Sequence, residues 1–333
     1  MVNVKIERGP FDAKGEPETA GVSGSKSLSL AHISDPHLTS LTNIKISQLF
    51  NKRIQGYLSW LRKRRFIHRR DIVDSLLEDL DLTRPDHIAV TGDLTHLGLP
   101  MEYAEARQWL DSLGSPEQVT VIPGNHEAYS GRDWFKSCSM WAPYLESDTR
   151  LEIARTANFF PSLRIREGVA LIGLCSARPS PPFMATGGLG QEQLSGLETL
   201  LQQTGNQGLL RIVLIHHPPV AGTVKWRKRL TDSQLFMDVL ERCGAELVLH
   251  GHAHVPTFSN IETPAGTIPV IGAPSASELN RWSGNYAKYN IYQLRKTASN
   301  WEMTMQVRGY SAARQCFIPE QEVVLTLPFT PSC

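Results

Sequence analysis

Three times in the first 130 residues an apolar run breaks into a short polar loop. The runs are SLSLAHIS (27–34), DHIAVTGD (86–93) and QVTVIPGNHE (118–127). Helix-periodic stretches lie between them: 71–82, with Ile72, Leu76, Leu77 and Leu80 on one face, and 99–113. Strand, loop and helix in repeated alternation predict an α/β fold, a layered sheet with helices on its faces. The second half continues with LRIREGVALIGLCS (163–176), two strands about a Glu167-Gly168 turn. A helix over 191–201, a strand and loop at 211–219, a helix over 232–243 and a strand and loop at 245–254 follow. From Pro256 the pattern becomes consecutive strands: TFSNIE, TIPVIG, YAKYNIYQL and WEMTMQVRG. With no repeat and no low-complexity linker, one domain of two packed sheets is expected over 27–326. Residues 1–26, polar and unpatterned, are expected to be a flexible leader, and 327–333 a tail.

Composition narrows the class. At 41% hydrophobic and 20% charged the chain reads as an ordinary globular protein. No apolar run approaches the ~18–20 residues that span a bilayer. The N-terminus lacks the apolar stretch of a secretory signal, so no export is expected. Five dispersed cysteines without a CxxC exclude a disulfide framework and a thiolate metal site, and a reducing cytoplasm is the expected location.

Five short segments, each after an apolar run, carry the chemistry: SDPHL (34–38), TGDLT (91–95), PGNHE (123–127), IHHPP (215–219) and HGHAH (250–254). Ligand residues in open α/β sheets gather in loops beyond the carboxyl ends of strands, so five such loops could converge on one point. Carboxylates, imidazoles and one amide, with no thiolate, suit Mn, Fe or Zn and argue against an iron–sulfur cluster or a calcium cage. Taken singly, an Asp after a strand is more often a turn former or helix cap.

In order, spacing and residue type the five segments resemble the calcineurin-like metallophosphoesterase pattern DxH…GD…GNH[DE]…H…GHxH. The resemblance spans residues 34–254 and implies a four-layer α-β-β-α sandwich of two mixed sheets flanked by helices. It also implies two divalent metal ions. Asp35, His37 and His254 would hold one, and Asn125, His216 and His252 the other, with Asp93 bridging. A bridging carboxylate keeps the ions about 3.5–4 Å apart, the spacing that clamps an in-line displacement at phosphorus, and a metal-bridging hydroxide would be the nucleophile. Asp93 and His126 are the expected catalytic residues, with His126 meeting the leaving oxygen.

The remaining histidines read differently. His32 is expected in the core or behind the ligands, and His250 as structural. His68 and His87 read as surface residues, His96 as part of a surface loop, and Glu127 as a brace for its own loop. His216 and His217 stay open as alternatives, with the H-x-P spacing favouring His216.

Charge distribution speaks to the substrate. No acidic residue occurs between Asp35 and Asp71, whereas Lys52, Arg53, Arg62, Lys63, Arg64, Arg65, Arg69 and Arg70 do. Within 49–70, Phe50, Ile54, Tyr57, Leu58 and Leu61 form an apolar stripe, with Trp60 at its margin. A second basic segment, VKWRKR (224–229), carries Trp226. Such a basic amphipathic helix suits an anionic membrane surface, the inner face for a peripheral protein; the competing expectation is that the stripe packs on the protein's own core. Basic patches also attract nucleic acid nonspecifically, but no nucleic-acid-binding motif accompanies these.

The expected substrate is thus a phosphorylated small molecule or a lipid-linked one. GDLTHLG in place of GDxVDRG disfavours a protein phosphatase. The leading expectation is hydrolysis of a phosphodiester or pyrophosphate bond, as in UDP-2,3-diacylglucosamine pyrophosphatases. The alternatives are a soluble 3′,5′-cyclic-nucleotide phosphodiesterase and a noncatalytic scaffold, the last disfavoured by the complete ligand set.

Overall fold

The computed structural model describes residues 5–6, 26–42, 44–49, 52–129, 131, 134–148, 159–281, 283–298 and 300–327. In chain order the strands are β1 (Lys5–Ile6), β2 (Ser27–Ile33), β3 (His87–Val90), β4 (Val119–Val121), β5 (Ser162–Arg166), β6 (Val169–Gly173), β7 (Leu210–Ile215) and β8 (Leu247–His250). They continue with β9 (Thr257–Thr263), β10 (Gly266–Gly272), β11 (Leu279–Asn280), β12 (Asn285–Tyr286), β13 (Lys288–Lys296), β14 (Trp301–Ser311) and β15 (Cys316–Leu327).

Two mixed sheets form the centre. The first runs β1-β15-β14-β13-β2-β3-β4, and the second β5-β6-β7-β8-β10-β9. In the first, β2, β3 and β4 are parallel, and β13, β14 and β15 add on as antiparallel strands. In the second, β6, β7, β8 and β10 are parallel, with β5 and β9 antiparallel at the edges. Glu167 and Gly168, both at positive φ, make the tight turn between β5 and β6.

The strand alternation distributes residues between two cores. From β6, β7 and β8, Val169, Leu171, Leu210, Ile212, Leu214, Leu247 and Leu249 join the larger core with the first sheet. Their neighbours Ala170, Ile172, Val213, Ile215 and Val248 face the helices Gln191–Asn206 and Ser233–Cys243. Helices Arg70–Thr83 and Pro100–Leu113 cover the first sheet through Ile72, Leu76, Tyr103 and Leu110. Two-residue periodicity with both faces buried is what lets a parallel sheet sit between a helix layer and a second sheet. The expected α-β-β-α architecture is therefore found.

The longest strand, β15, is not foreseen in the sequence, and its composition says why. Pro319, Glu320, Gln321 and Glu322 interrupt its apolar pattern. Val307 pairs with Gln321 and Arg308 with Pro319, so Glu320 is an extra, bulged residue there. A bulge next to a proline is how a strand accommodates a missing donor. Lys5–Ile6, inside the expected leader, pair with β15.

The basic segment forms one helical run over 53–67, with a π-helical turn at Trp60–Arg64. Its packing divides the expected stripe. Ile54 and Leu58 are 49% and 41% exposed, whereas Trp60 is 3% exposed; Tyr57 and Leu61 are half-buried and Phe50 lies outside the described residues. The inward face is Gly56, Trp60 and Ile67, with Trp60 in a small core with Leu41, Leu49, Leu97, Leu99 and Tyr129. Close approach requires Gly56, since an added Cβ would stand 2.4 Å from both Leu97 Cδ2 and Tyr129 Oη. A π turn inserts a residue into the helical repeat, which redirects the side chains after it and frequently marks functional sites.

Candidate metal centre

All five predicted segments lie just beyond the carboxyl ends of parallel strands: β2, β3, β4, β7 and β8. Three hydrogen bonds stitch the first two loops together: Asp35 N to Gly92 O, His37 N to Asp93 O, and Leu38 N to Leu94 O. Asp35, His37, Asp93, His252 and His254 all have positive φ. For non-glycine residues this is costly backbone, and it clusters where side chains must be aimed.

Side chains from these loops form groups that could hold a metal ion. Ligand atoms of Asp35, His37, Asp93 and His254 lie within 4.8 Å of one another, as do those of Asp93, His216 and His252. Asp93 belongs to both groups. Asn125 Oδ1 lies 3.2 Å from His216 Nε2, at the second group.

Hydrogen bonds behind the imidazoles fix which nitrogen faces inward. His37 Nδ1 donates to Thr95 O (2.9 Å) and His216 Nδ1 to Thr91 O (2.6 Å), leaving Nε2 for the cluster. His252 Nε2 donates to Lys228 O at 3.1 Å, leaving Nδ1. His254 Nε2 stands 3.2 Å from Asp35 Oδ1, while its Nδ1 has Glu278 Oε2 at 3.7 Å behind it. Carboxylates and carbonyls behind ligating histidines are the usual support of metal sites. His37 Nε2 is buried without a hydrogen-bond partner, and Asp35 Oδ1 faces the nitrogen of another member of the cluster, His254 Nε2. Buried polar atoms without partners are costly, and here they converge with the right donor types, so the residues fit divalent metals.

The electrostatics agree. Burial lowers His216 and His254, yet the Asp93 and Asp35 carboxylates outweigh it and lift both to about 9. Burial, with His68 and His254 adjacent, holds His37 well below its ordinary value and keeps it neutral. Glu127 is pushed up to about 7 by burial and by Asp93. It braces the loops as expected: Oε2 accepts from Asp93 N and Gly124 N, and Oε1 from Thr95 N.

His216 and His217 diverge. His217 Nδ1 shares a hydrogen bond with Ser176 Oγ at 2.7 Å and its ring packs against Gly187, outside both ligand groups. His126 is oriented by Asp93 Oδ1, which accepts its backbone N–H (2.8 Å), and by His96 O, which accepts from Nδ1 (2.6 Å). His32 bonds Thr91 Oγ1, and His250 bonds Gly251 O and Thr257 Oγ1, both fully buried as expected.

Three histidines depart from expectation. His68 is not a surface residue: its ring lies 4.4 Å from that of His37, and it forms a potential metal group with His37 and His254. His96 is buried, stacked on His37 at 5.0 Å, because the insert helix covers its loop. His87 is fully buried at the start of β3, bonded to Thr120 Oγ1 at 2.7 Å. In the sequence Arg64 is one cation in a basic run, and Glu278 carries no signal of its own. Arg64 Nη1 lies 3.2 Å from His126 Nε2, carried there by the π turn. Glu278 follows β10, which was read as a strand, but its parallel pairing with β8 is a tertiary fact.

A model of the calcineurin-like phosphoesterase family matches residues 28–256. A probable cyclic nucleotide phosphodiesterase of Synechococcus sp. is 30% identical over 51% of this chain, and the match spans 58% of its own length. One of Rhodococcus erythropolis is 28% identical over 74% of this chain and 70% of its own. The glycerophosphodiester phosphodiesterase GpdQ of Enterobacter lignolyticus is 29% identical, with 57% of each chain covered. Among solved structures, a dimetal phosphatase from Danio rerio superposes with a TM-score of 0.53 at 14% identity, covering 91% of this chain and 99% of that one. With two-thirds of its length matched to the family model and all five loops converging on one cluster, the chain belongs to the calcineurin-like phosphoesterases, a family of phosphoester hydrolases.

Proposed function

We propose that this protein hydrolyses a phosphodiester or pyrophosphate bond at a centre of two divalent metal ions. Asp35, His37 and His254 hold one ion, Asn125, His216 and His252 the other, and Asp93 serves both. The observation that carries this reading is the presence of Asp93 in both ligand groups. Bound there, the ions supply Lewis acidity at the phosphoryl oxygens and an acidified water as nucleophile.

The protein's own groups do the rest. Asp93 orients His126 through its backbone N–H. His96 O accepts a hydrogen bond from Nδ1–H and so directs Nε2 at the site, where it meets the leaving oxygen. Thr95, Thr91 and Lys228 carbonyls fix the ligating tautomers. The relatives named as cyclic nucleotide and glycerophosphodiester phosphodiesterases support a phosphodiester as one substrate class. Purified protein with Mn²⁺ is expected to cleave bis-(p-nitrophenyl) phosphate, and to lose at least 100-fold in turnover (on the order of 3 kcal/mol or more) on His126→Ala. Full activity in that variant would contradict the assignment.

A membrane-presented substrate is a second reading, supported by one observation. Ile54, Leu58 and Phe66 are exposed on the insert helix beside the exposed cations Arg62, Lys63 and Arg65. An apolar edge with flanking cations suits an anionic bilayer surface. No described helix is long and apolar enough to cross a membrane. Flotation with phosphatidylglycerol liposomes should carry the protein upward, and Leu58→Glu with Phe66→Glu should abolish it; unchanged flotation would refute the docking.

A further inference from the structure

The insert meets the ligand cluster at its far end. Its helical run stops at Ile67, and His68 follows in extended backbone, with its N–H donating to Arg64 O at 2.9 Å. Two contacts moor it to the loop after β10. Arg69 N donates to Ser277 O at 3.0 Å, and His68 forms an antiparallel bridge with Glu278. That loop also serves the group of Asp35, His37, Asp93 and His254. Ser275 Oγ donates to Asp35 O at 2.7 Å, and Glu278 Oε2 lies 3.7 Å behind His254 Nδ1. One short segment thus positions Asp35, His68 and His254 together.

His68 is supported from behind, as the proposed ligands are. The ring is half-buried, and its Nδ1 lies 2.9 Å from Ser277 Oγ. Ser277 Oγ can donate onward to Ser275 Oγ, 3.4 Å away, because the Ser275 hydroxyl proton is already directed at Asp35 O. Ser277 Oγ therefore accepts from His68 Nδ1–H, and the lone pair falls on Nε2. A ligand atom of His68 lies within 4.8 Å of those of His37 and His254, with ring centroids 4.4 and 5.6 Å away. Imidazole lone pairs cannot satisfy one another, so a cation is the partner that this convergence fits.

His37 decides which ion this is. Its Nδ1 donates to Thr95 O at 2.9 Å, so Nε2 is the one atom it has to give. His37 nevertheless belongs both to the group with Asp35, Asp93 and His254 and to the group with His68 and His254. One lone pair binds one ion, so both groups address the same ion. Resting on the two-metal reading above, we propose that His68 is a further ligand of the ion held by Asp35, His37 and His254, and that this ion clasps the insert helix to the two-sheet body. His68 lies outside all five loops, so the insert alone supplies it. The set then holds three imidazoles beside the carboxylates of Asp35 and Asp93, a nitrogen-rich shell that suits zinc. The helix held in this way also carries Arg64, whose Nη1 lies 3.2 Å from His126 Nε2. Loading that ion therefore fixes the arginine beside His126.

The test follows the imidazole nitrogens of the full chain, labelled with nitrogen-15 histidine, by NMR before and after loading with diamagnetic Zn²⁺. His68→Gln identifies the His68 signals by their loss, and His68→Asn does so if the first variant fails to fold. In the wild type, His68 Nε2 should move far upfield on loading, together with the ligating nitrogens of His37 and His216. An unmoved His68 beside shifted His37 and His216 overturns the ligand assignment alone. Unmoved His37 and His216 would instead sink the two-metal reading. Limited proteolysis reads the clasp. Zn²⁺ should slow cleavage within 53–67 by about tenfold or more in the wild type and leave the rate unchanged in His68→Gln. Equal protection of both chains would overturn it. A third Zn²⁺ retained by the wild type and lost in His68→Gln would give His68 an ion of its own and contradict the shared ligation.

Discussion

Glu127 and Asp93 are tied carboxylate to backbone: Glu127 Oε2 accepts the Asp93 N–H at 2.9 Å, and the same oxygen accepts Gly124 N–H at 2.6 Å. One fully buried side chain thus sets the spacing between the loop after β3 and the loop after β4. Removing its charge leaves three backbone donors weakly served without touching a ligand. Glu127→Gln should lower metal affinity about 10–100-fold, the usual cost of losing a support behind the ligands. Isothermal titration with Mn²⁺ measures it, and unchanged affinity would show that the loops hold their spacing without Glu127.

The insert helix approaches the site only because residue 56 has no side chain. Gly56→Leu should lift the helix from Leu97 and Tyr129 and withdraw Arg64 from His126. The expected outcome is faster proteolysis within 53–67 with the melting temperature of the two-sheet body nearly unchanged. Loss of the whole fold would mean that the insert is integral to the core.

Arg211 and Glu246 form a fully buried ion pair at 2.6 Å between β7 and the turn before β8. Glu246→Ala strands a buried guanidinium and should cost about 3–5 kcal/mol of stability. Urea denaturation reads it directly; a loss below about 1 kcal/mol, the level of an exposed pair, would contradict this account.

His87 gives an acid-sensitive contribution away from the site. Burial, with Arg166 and Arg164 nearby, lowers it to about 3. Its folded value lies below its unfolded one, so the contribution is fully present above pH 6.5 and is lost as pH falls from 6.5 toward 3. The loss is about 1.4 kcal/mol per pH unit within that window. Between pH 7.5 and 5, His87→Gln should show a smaller drop in stability than the wild type, by about 2 kcal/mol. Equal drops would place His87 in contact with water.

What could be read in advance was whatever is local. Strand runs and the residues just after them announced β2, β3, β4, β7 and β8 and their loops, so the proposed ligands Asp35 to His254 were legible as types and positions. Where the sequence failed, the deciding contact was distant. His68 belongs to no strand, and only the return of the insert helix brings it to His37. Glu278 needed the direction of β10. For Ile54 and Leu58 two readings stood open, because helical periodicity gives a stripe without saying which way it faces, and Gly56 with the π turn decided that. His87 reads as polar on a sequence scale, yet Thr120 on the next strand supplies the partner that makes burial tolerable.

The central claim is that one carboxylate, Asp93, serves two metal ions. Metal content of dialysed protein, measured by mass spectrometry after Mn²⁺ loading, tests it most directly. The wild type should retain two ions per chain, His252→Ala one, and Asp93→Ala none. Two ions retained by Asp93→Ala, or a single ion in the wild type, would contradict the claim.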